Sequence, residues 1–291
     1  MQLFPGRMVL KGNIFLVLLA ILGCCFVAPP ARSQALLPHT LELNSADLKQ
    51  QGLSLAHEAD RLGRLQQYEY ALPRAKLATQ LAPKQFETWA ILGQLYLQTD
   101  EIEKGISAFN MARSLAPENP NILFALGSAS FQQKEYRAAV DYLLSGLKIE
   151  PDIPGALFDL GNAYYMLRDF QKAIDQYEKA IARDETFWPA INNIGLVRYE
   201  QGKVKEAQRR WQASLNIDES AAEPMLAIAV ALYTEGKIAQ AYSLGESALS
   251  SDPRYGDLEF LRENLWGDRL LADTKKFLET PRIKATLARE Q

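Results

Sequence analysis

The chain has 291 residues, 48% hydrophobic and 23% charged, with a formal net charge of −3, an ordinary soluble composition long enough for two compact domains or one elongated array. Its only cysteines are the adjacent Cys24 and Cys25, so no disulfide framework or thiolate metal site can form in the rest of the sequence. An acidic balance without a basic patch argues against a nucleic-acid partner.

Residues 1–35 read as a secretory signal peptide rather than as part of the fold. Arg7 and Lys11 precede an apolar run from Ile14 to Ala28, Pro29-Pro30 ends it, and Ser33-Gln34-Ala35 offers small residues for cleavage, so the expected mature start is Leu36. The run is shorter than the roughly 20 residues of a spanning helix. An uncleaved anchor over 14–28 is the alternative, and any membrane association is expected through this N-terminus only. Ile21-Leu22-Gly23-Cys24 loosely resembles a lipoprotein cleavage box, against which Leu22 and the apolar Cys25, Phe26 and Val27 argue. This stretch holds three basic residues (Arg7, Lys11, Arg32) and no acidic ones, leaving 29 basic against 35 acidic in the remainder.

Residues 36–51 form a short polar lead-in, with Asn44 or Ser45 as candidate N-cap of a helix running on into residue 52 and beyond. Residues 52–255 then divide without a gap into six 34-residue units: 52–85, 86–119, 120–153, 154–187, 188–221 and 222–255. The fourth is the clearest, with Leu157, Leu160, Gly161, Tyr164, Ala173, Tyr177 and Ala180 at offsets that recur throughout. Numbered within each unit, positions 8, 20 and 27 hold only Gly, Ala or Ser, as in Gly161, Ala173 and Ala180. Such positions are expected where another backbone comes close. The apolar residues Phe170, Ala173, Ile174, Tyr177, Ala180 and Ile181 share one face of a helix, and Asp100, Gly202 and Gly236 break the pattern, so each unit is helix A, turn, helix B. The first unit is irregular: Gly63 falls in or at the end of its helix A, and Pro73 should kink or shorten its helix B.

After Pro253 the period stops but helical patterning continues. Asp257 is a candidate N-cap for a stripe of Leu258, Leu261, Leu265 and Trp266, expected to cap helix B of the last unit. Gly267-Asp268 separates it from a second stripe of Leu270, Leu271, Phe277 and Leu278, which either folds back on the convex face or serves a partner. The last ten residues are expected to be a mobile end.

No constellation for catalysis stands out. The two histidines, His39 and His57, lack ligand-like company, and the glycines recur at 34 residues rather than at the spacing of a phosphate loop. The sequence therefore predicts no enzyme, no cofactor and no metal site.

The repeats closely resemble the tetratricopeptide repeat family, down to a Pro at position 32 in four units and Glu185 or Glu219 in the other two. The resemblance implies an all-α, right-handed superhelical solenoid with a C-terminal capping helix, whose A helices line a concave groove that binds a protein or peptide. It places positions 2, 5, 9, 12 and 13 in that groove. Candidate partner-binding residues are then Phe124, Ser128, Phe131, Phe158, Asn162, Tyr165, Asn192, Leu196, Tyr199 and Tyr233, an aromatic ladder with Asn162, Asn192 and Asn193 as polar handles. The same aromatics also serve packing between neighbouring repeats. Clamps for chaperone C-terminal carboxylates use Lys or Arg at positions 5, 6 and 9, and no repeat here has one. The leader, six repeats and tail are similar to repeat proteins of cyanobacteria and the chloroplast thylakoid lumen. That resemblance implies an exported adaptor, in the thylakoid lumen or periplasm, for assembly or maintenance of photosynthetic membrane complexes. A pilus-biogenesis type of lipoprotein and a scaffold for cell-envelope enzymes are the alternatives.

Overall fold

The computed structural model describes residues 44–290; the leader, the candidate anchor over 14–28 and the lead-in up to residue 43 lie outside them. Among the described residues there are fifteen α-helices, one 3-10 turn and no strand. Six antiparallel pairs follow the 34-residue register: α1 (Ser45–Arg64) with α2 (Tyr68–Leu81), α3 (Phe86–Gln98) with α4 (Ile102–Leu115), and α5 (Pro120–Gln132) with α6 (Tyr136–Ile149). Then come α7 (Pro154–Met166) with α8 (Phe170–Arg183), α9 (Trp188–Glu200) with α10 (Val204–Leu215), and α11 (Ala222–Thr234) with α12 (Ile238–Ser251). Each pair packs on the next, helix B on the following helix A, with A helices also touching along the stack. This is an all-α solenoid. Asn44 caps α1 by accepting from the Ala46 N–H at 3.0 Å, and α1 runs through to Arg64 with Gly63 buried in its last turn. Pro73 does not shorten α2, which spans 14 residues like α4, α6, α8 and α12.

The small residues at position 8 have a different cause from the expected backbone contact. A Cβ on Gly93, Gly127, Gly161 or Gly195 would run into the side chain at position 24 of the same unit: Phe109, Leu143, Tyr177 or Trp211. The glycine opens a slot on helix A, and a large side chain from helix B fills it. Leu143, Tyr177 and Trp211 are wholly buried there. Filling such a slot stabilises the repeat, since burying a large side chain contributes about 1.5–3 kcal/mol. Gly161→Leu should therefore destabilise by about 1–3 kcal/mol through overpacking against the Tyr177 ring. Hydrogen exchange should show the damage centred on 154–187 and fading along the array.

Every A–B turn has one backbone form. Position 15 adopts a left-handed conformation in all six units: Gln66 (φ 58°), Asp100 (60°), Lys134 (63°), Arg168 (62°), Gly202 (80°) and Gly236 (78°). The next N–H bonds back to the carbonyl of position 11 at 2.8–3.0 Å, as in Gln67 to Leu62 and Lys237 to Leu232, the 6→1 bond of a Schellman ending. Only two of the six are glycines, so the turn is imposed by the packed pair and not by the residue. An alanine Cβ at Gly236 would meet nothing within 4 Å. Gly236→Ala therefore isolates the conformational penalty and should cost about 1 kcal/mol in chemical denaturation.

The C-terminal region departs most from expectation. A 3-10 turn (Pro253–Gly256) leads to α13 (Leu258–Glu263), capped by Asp257 as expected, then α14 (Asp268–Leu278) and α15 (Pro281–Glu290). The short α13 does not pack on helix B of the last repeat; the 3-10 turn and α15 do. The segment expected to be a mobile end is thus the cap, with Ile283 wholly buried and Arg282 bonded to both oxygens of Glu246 at 2.7 and 2.8 Å. The second stripe becomes α14. It packs on helices α9 and α11, both A helices, and so enters the concave side instead of the convex one.

Candidate functional site: the concave face

The floor of the concave face is a polar ladder between successive A helices. Position 9 of one repeat meets position 6 of the next. Ser128 Oγ donates to Asp159 Oδ2 at 2.9 Å, and Asn193 Nδ2 donates to Asn162 Oδ1 at 2.9 Å. Asn162 Oδ1 also accepts from Tyr177 Oη at 2.8 Å, and Asn192 Nδ2 donates to Asn193 Oδ1 at 3.1 Å. The Trp211 indole N–H donates to the Asn192 carbonyl at 3.2 Å. The asparagines expected as handles for a ligand backbone are therefore knitted into the repeat contacts, and Asn192 is wholly buried.

The candidate aromatics divide into two groups. Phe124, Phe131 and Phe158 are half-buried and lie on the part of the face that α14 does not reach. Phe124 packs over Gly146, Phe131 stands 5.3 Å from Tyr136, and Phe158 lies 5.3 Å from Phe187 and 5.8 Å from Tyr177, centroid to centroid. These rings pack within and between repeats while each stays partly exposed. Tyr165, Leu196 and Tyr199 are buried, Tyr199 to 1% exposure. None of these three offers an open contact to a partner. Tyr199→Ala would report packing loss, not binding.

What covers Tyr199 is the protein's own tail. Tyr199 Oη donates to Asp273 Oδ2 at 2.9 Å, and the Arg269 guanidinium lies 5.3 Å above its ring. The Glu200 carboxylate takes the N–H groups of Arg269 (3.3 Å) and Leu270 (3.0 Å), capping α14 from outside with a negative charge at its N-terminus. Trp266 donates its indole N–H to Glu223 Oε1 at 3.0 Å. Phe277 stands 5.4 Å from the ring of Tyr233 and 6.1 Å from that of Tyr242, so Tyr233 also serves the tail. Where the covered and open stretches meet, Tyr165, Phe170, Glu200, Arg262, Trp266 and Asp268 surround a cavity of about 220 Å³.

Two carboxyls on this face are perturbed. Burial pushes Glu223 up to about 7, opposed by its hydrogen bonds with Trp266 and Asn192. Burial also raises Asp159, opposed by the Ser128 hydrogen bond. Among the described residues no group of three or more His, Cys, Asp or Glu converges as a metal site, and no helix is long and apolar enough to cross a membrane.

Comparison with curated proteins finds no match. Tetratricopeptide-repeat models match residues 154–187 and 92–152, and a model of ChAPs (Chs5p-Arf1p-binding proteins) matches 35–117. Among solved structures, MamA is 26% identical with a TM-score of 0.51, covering 55% of this chain and 94% of its own. PilF of Pseudomonas aeruginosa (15% identity, TM-score 0.62) covers 76% of this chain and 98% of its own. YrrB, described as a tetratricopeptide protein with an unusual peptide-binding site, is 17% identical with a TM-score of 0.51, covering 62% and 93%. At these identities PilF and YrrB bear on the fold alone. The helix pairs, their register and the two repeat models agree: the chain is a tetratricopeptide repeat protein.

Proposed function

We propose that the protein is a non-catalytic scaffold that holds a segment of a partner protein on the concave face of repeats two to four. The observation that carries this is the division of that face: α14 occupies repeats five and six, whereas Phe124, Phe131 and Phe158 keep surface beyond its reach. This narrows the candidate site. Phe124, Ser128, Phe131 and Phe158 stay in it as contacts, and Asn162 supports its floor, whereas Leu196, Tyr199 and Tyr233 pack with the tail and Asn192 is buried between repeats.

A photo-crosslinker placed at the exposed Gln94 or Gln132 should capture one and the same protein in native extracts. The same group at Lys179, exposed on helix B of the fourth repeat, should not. Equal capture from all three positions would remove the groove as the site. The proposed setting is outside the cytoplasm, in assembly or maintenance of photosynthetic membrane complexes, on the strength of the leader, the tail and their resemblance to lumenal repeat proteins. N-terminal sequencing of the native protein should find Leu36. A chain beginning at Met1 would mean a retained anchor, and one beginning at a lipidated Cys24 a lipoprotein.

A further inference from the structure

The groove-facing positions of repeats two to six carry acid and no base. Positions 2, 5, 6, 9, 12 and 13 of these repeats include Glu87, Asp159, Glu200 and Glu223 and not one Lys, Arg or His. The tail shows how two of these acids are satisfied. Glu200 receives two backbone N–H groups of α14, Glu223 receives the Trp266 indole N–H, and the Arg269 cation stacks on Tyr199. The resident of the covered half thus brings hydrogen-bond donors to the carboxylates and a cation to an aromatic face.

Asp159, in the open half, receives one hydrogen bond from a neighbouring repeat and nothing from the tail. Its hydrogen bond is to Ser128 Oγ, and it forms no ion pair among the described residues. Ser128 lies between Phe124, four residues before it, and Phe131, three after, so all three share one face of α5. One turn earlier on the same helix, a Cβ on Gly155 would meet nothing within 4 Å. A half-buried carboxylate without a cation is costly, and an incoming ammonium or guanidinium relieves that cost while binding.

We propose that the segment held by repeats two to four carries a lysine or arginine whose cation pairs with Asp159, with apolar side chains beside it against Phe124 and Phe131. This rests on the groove being the binding site, and the test separates the two ideas. Twelve-residue peptides are selected from a random library on the intact protein, and the bound sequences are measured against the protein and two variants. Peptides whose binding is lost with Phe131→Ala should be enriched in Lys or Arg flanked by apolar residues. Asp159→Asn, which keeps the acceptor for Ser128, should weaken them by about tenfold or more without lowering the melting temperature. Changing the peptide's basic residue to Gln should produce the same loss in the wild-type protein and little further loss in the variant. If Phe131-dependent peptides show no basic enrichment, or bind Asp159→Asn equally well, this inference fails and the groove stands. If no peptide depends on Phe131, the groove reading fails and takes the inference with it.

Discussion

Replacing Phe277 by alanine should cost about 3–5 kcal/mol, the range for emptying a well-packed aromatic site, and should loosen the last repeat together with α14. The reason lies in the position 24 series, which reads Phe109, Leu143, Tyr177 and Trp211 in repeats two to five and then Gly245 in the sixth. That repeat has Ala229 at position 8 and no large side chain at position 24, so the space beside Gly245 is left for another segment to fill. Phe277 fills it from α14: it is wholly buried, and a Cβ on Gly245 would collide with its ring. The tail is therefore a structural part of repeat six and not a loosely held lid. Urea denaturation would give the loss, and hydrogen exchange should place it in 222–290. A second substitution sharpens the test. Gly245→Phe alone should destabilise, by roughly 1–3 kcal/mol of overpacking. Combined with Phe277→Ala it should recover part of the loss, because a ring from position 24 would occupy the volume that Phe277 leaves beside Gly245. A Phe277→Ala protein within about 1 kcal/mol of the wild type, or a double variant no better than the single one, would rule out this complementation.

The repeat architecture was legible because a 34-residue period writes the same packing contact into the sequence several times over. Gly161 and Tyr177 recur as Gly127 and Leu143 or Gly195 and Trp211, and the A–B pairing follows from them. Local caps were legible too, since Asn44 and Asp257 each act on an N–H two residues ahead. The left-handed turns at Gln66, Lys134 and Arg168 were not, because tertiary packing there overrides the preference for glycine. Groove exposure was hidden for another reason. Family geometry assigns positions to the concave side, yet Tyr199 is closed off by a segment more than 65 residues later that obeys no period, and Asn192 is buried between the repeats themselves. One clue was present: Gly245 follows four large side chains, Phe109 to Trp211, at position 24, which implies a filler from elsewhere, and Phe277 is the aromatic of the surplus stripe.

Raising the pH from 5 to 8 should lower the stability of the wild type more than that of Glu223→Gln, by up to about 2 kcal/mol of difference. In the folded chain Glu223 sits on α11 beneath Trp266, with Asn192 and Tyr255 among its neighbours and no cation contributing to its titration. Burial raises its carboxyl from an ordinary 4.5 to about 7. Between those values the unfolded chain has ionised this group and the folded chain still holds its proton. The unfolded state therefore binds fewer protons, and stability falls as pH rises through the window; above it both states are ionised and this contribution levels off. The residue keeps part of its surface, so the full shift overstates the effect, and about 2 kcal/mol is the discounted figure. Glutamine retains the acceptor for the Trp266 indole and cannot ionise. At pH 8 the Glu223→Gln protein should thus be the more stable of the two, and at pH 5 they should melt together. Tryptophan fluorescence should report the same transition locally, through Trp266. Parallel stability curves for the two proteins from pH 5 to 8 would show that the carboxyl ionises in place without cost and that the tail does not sense pH.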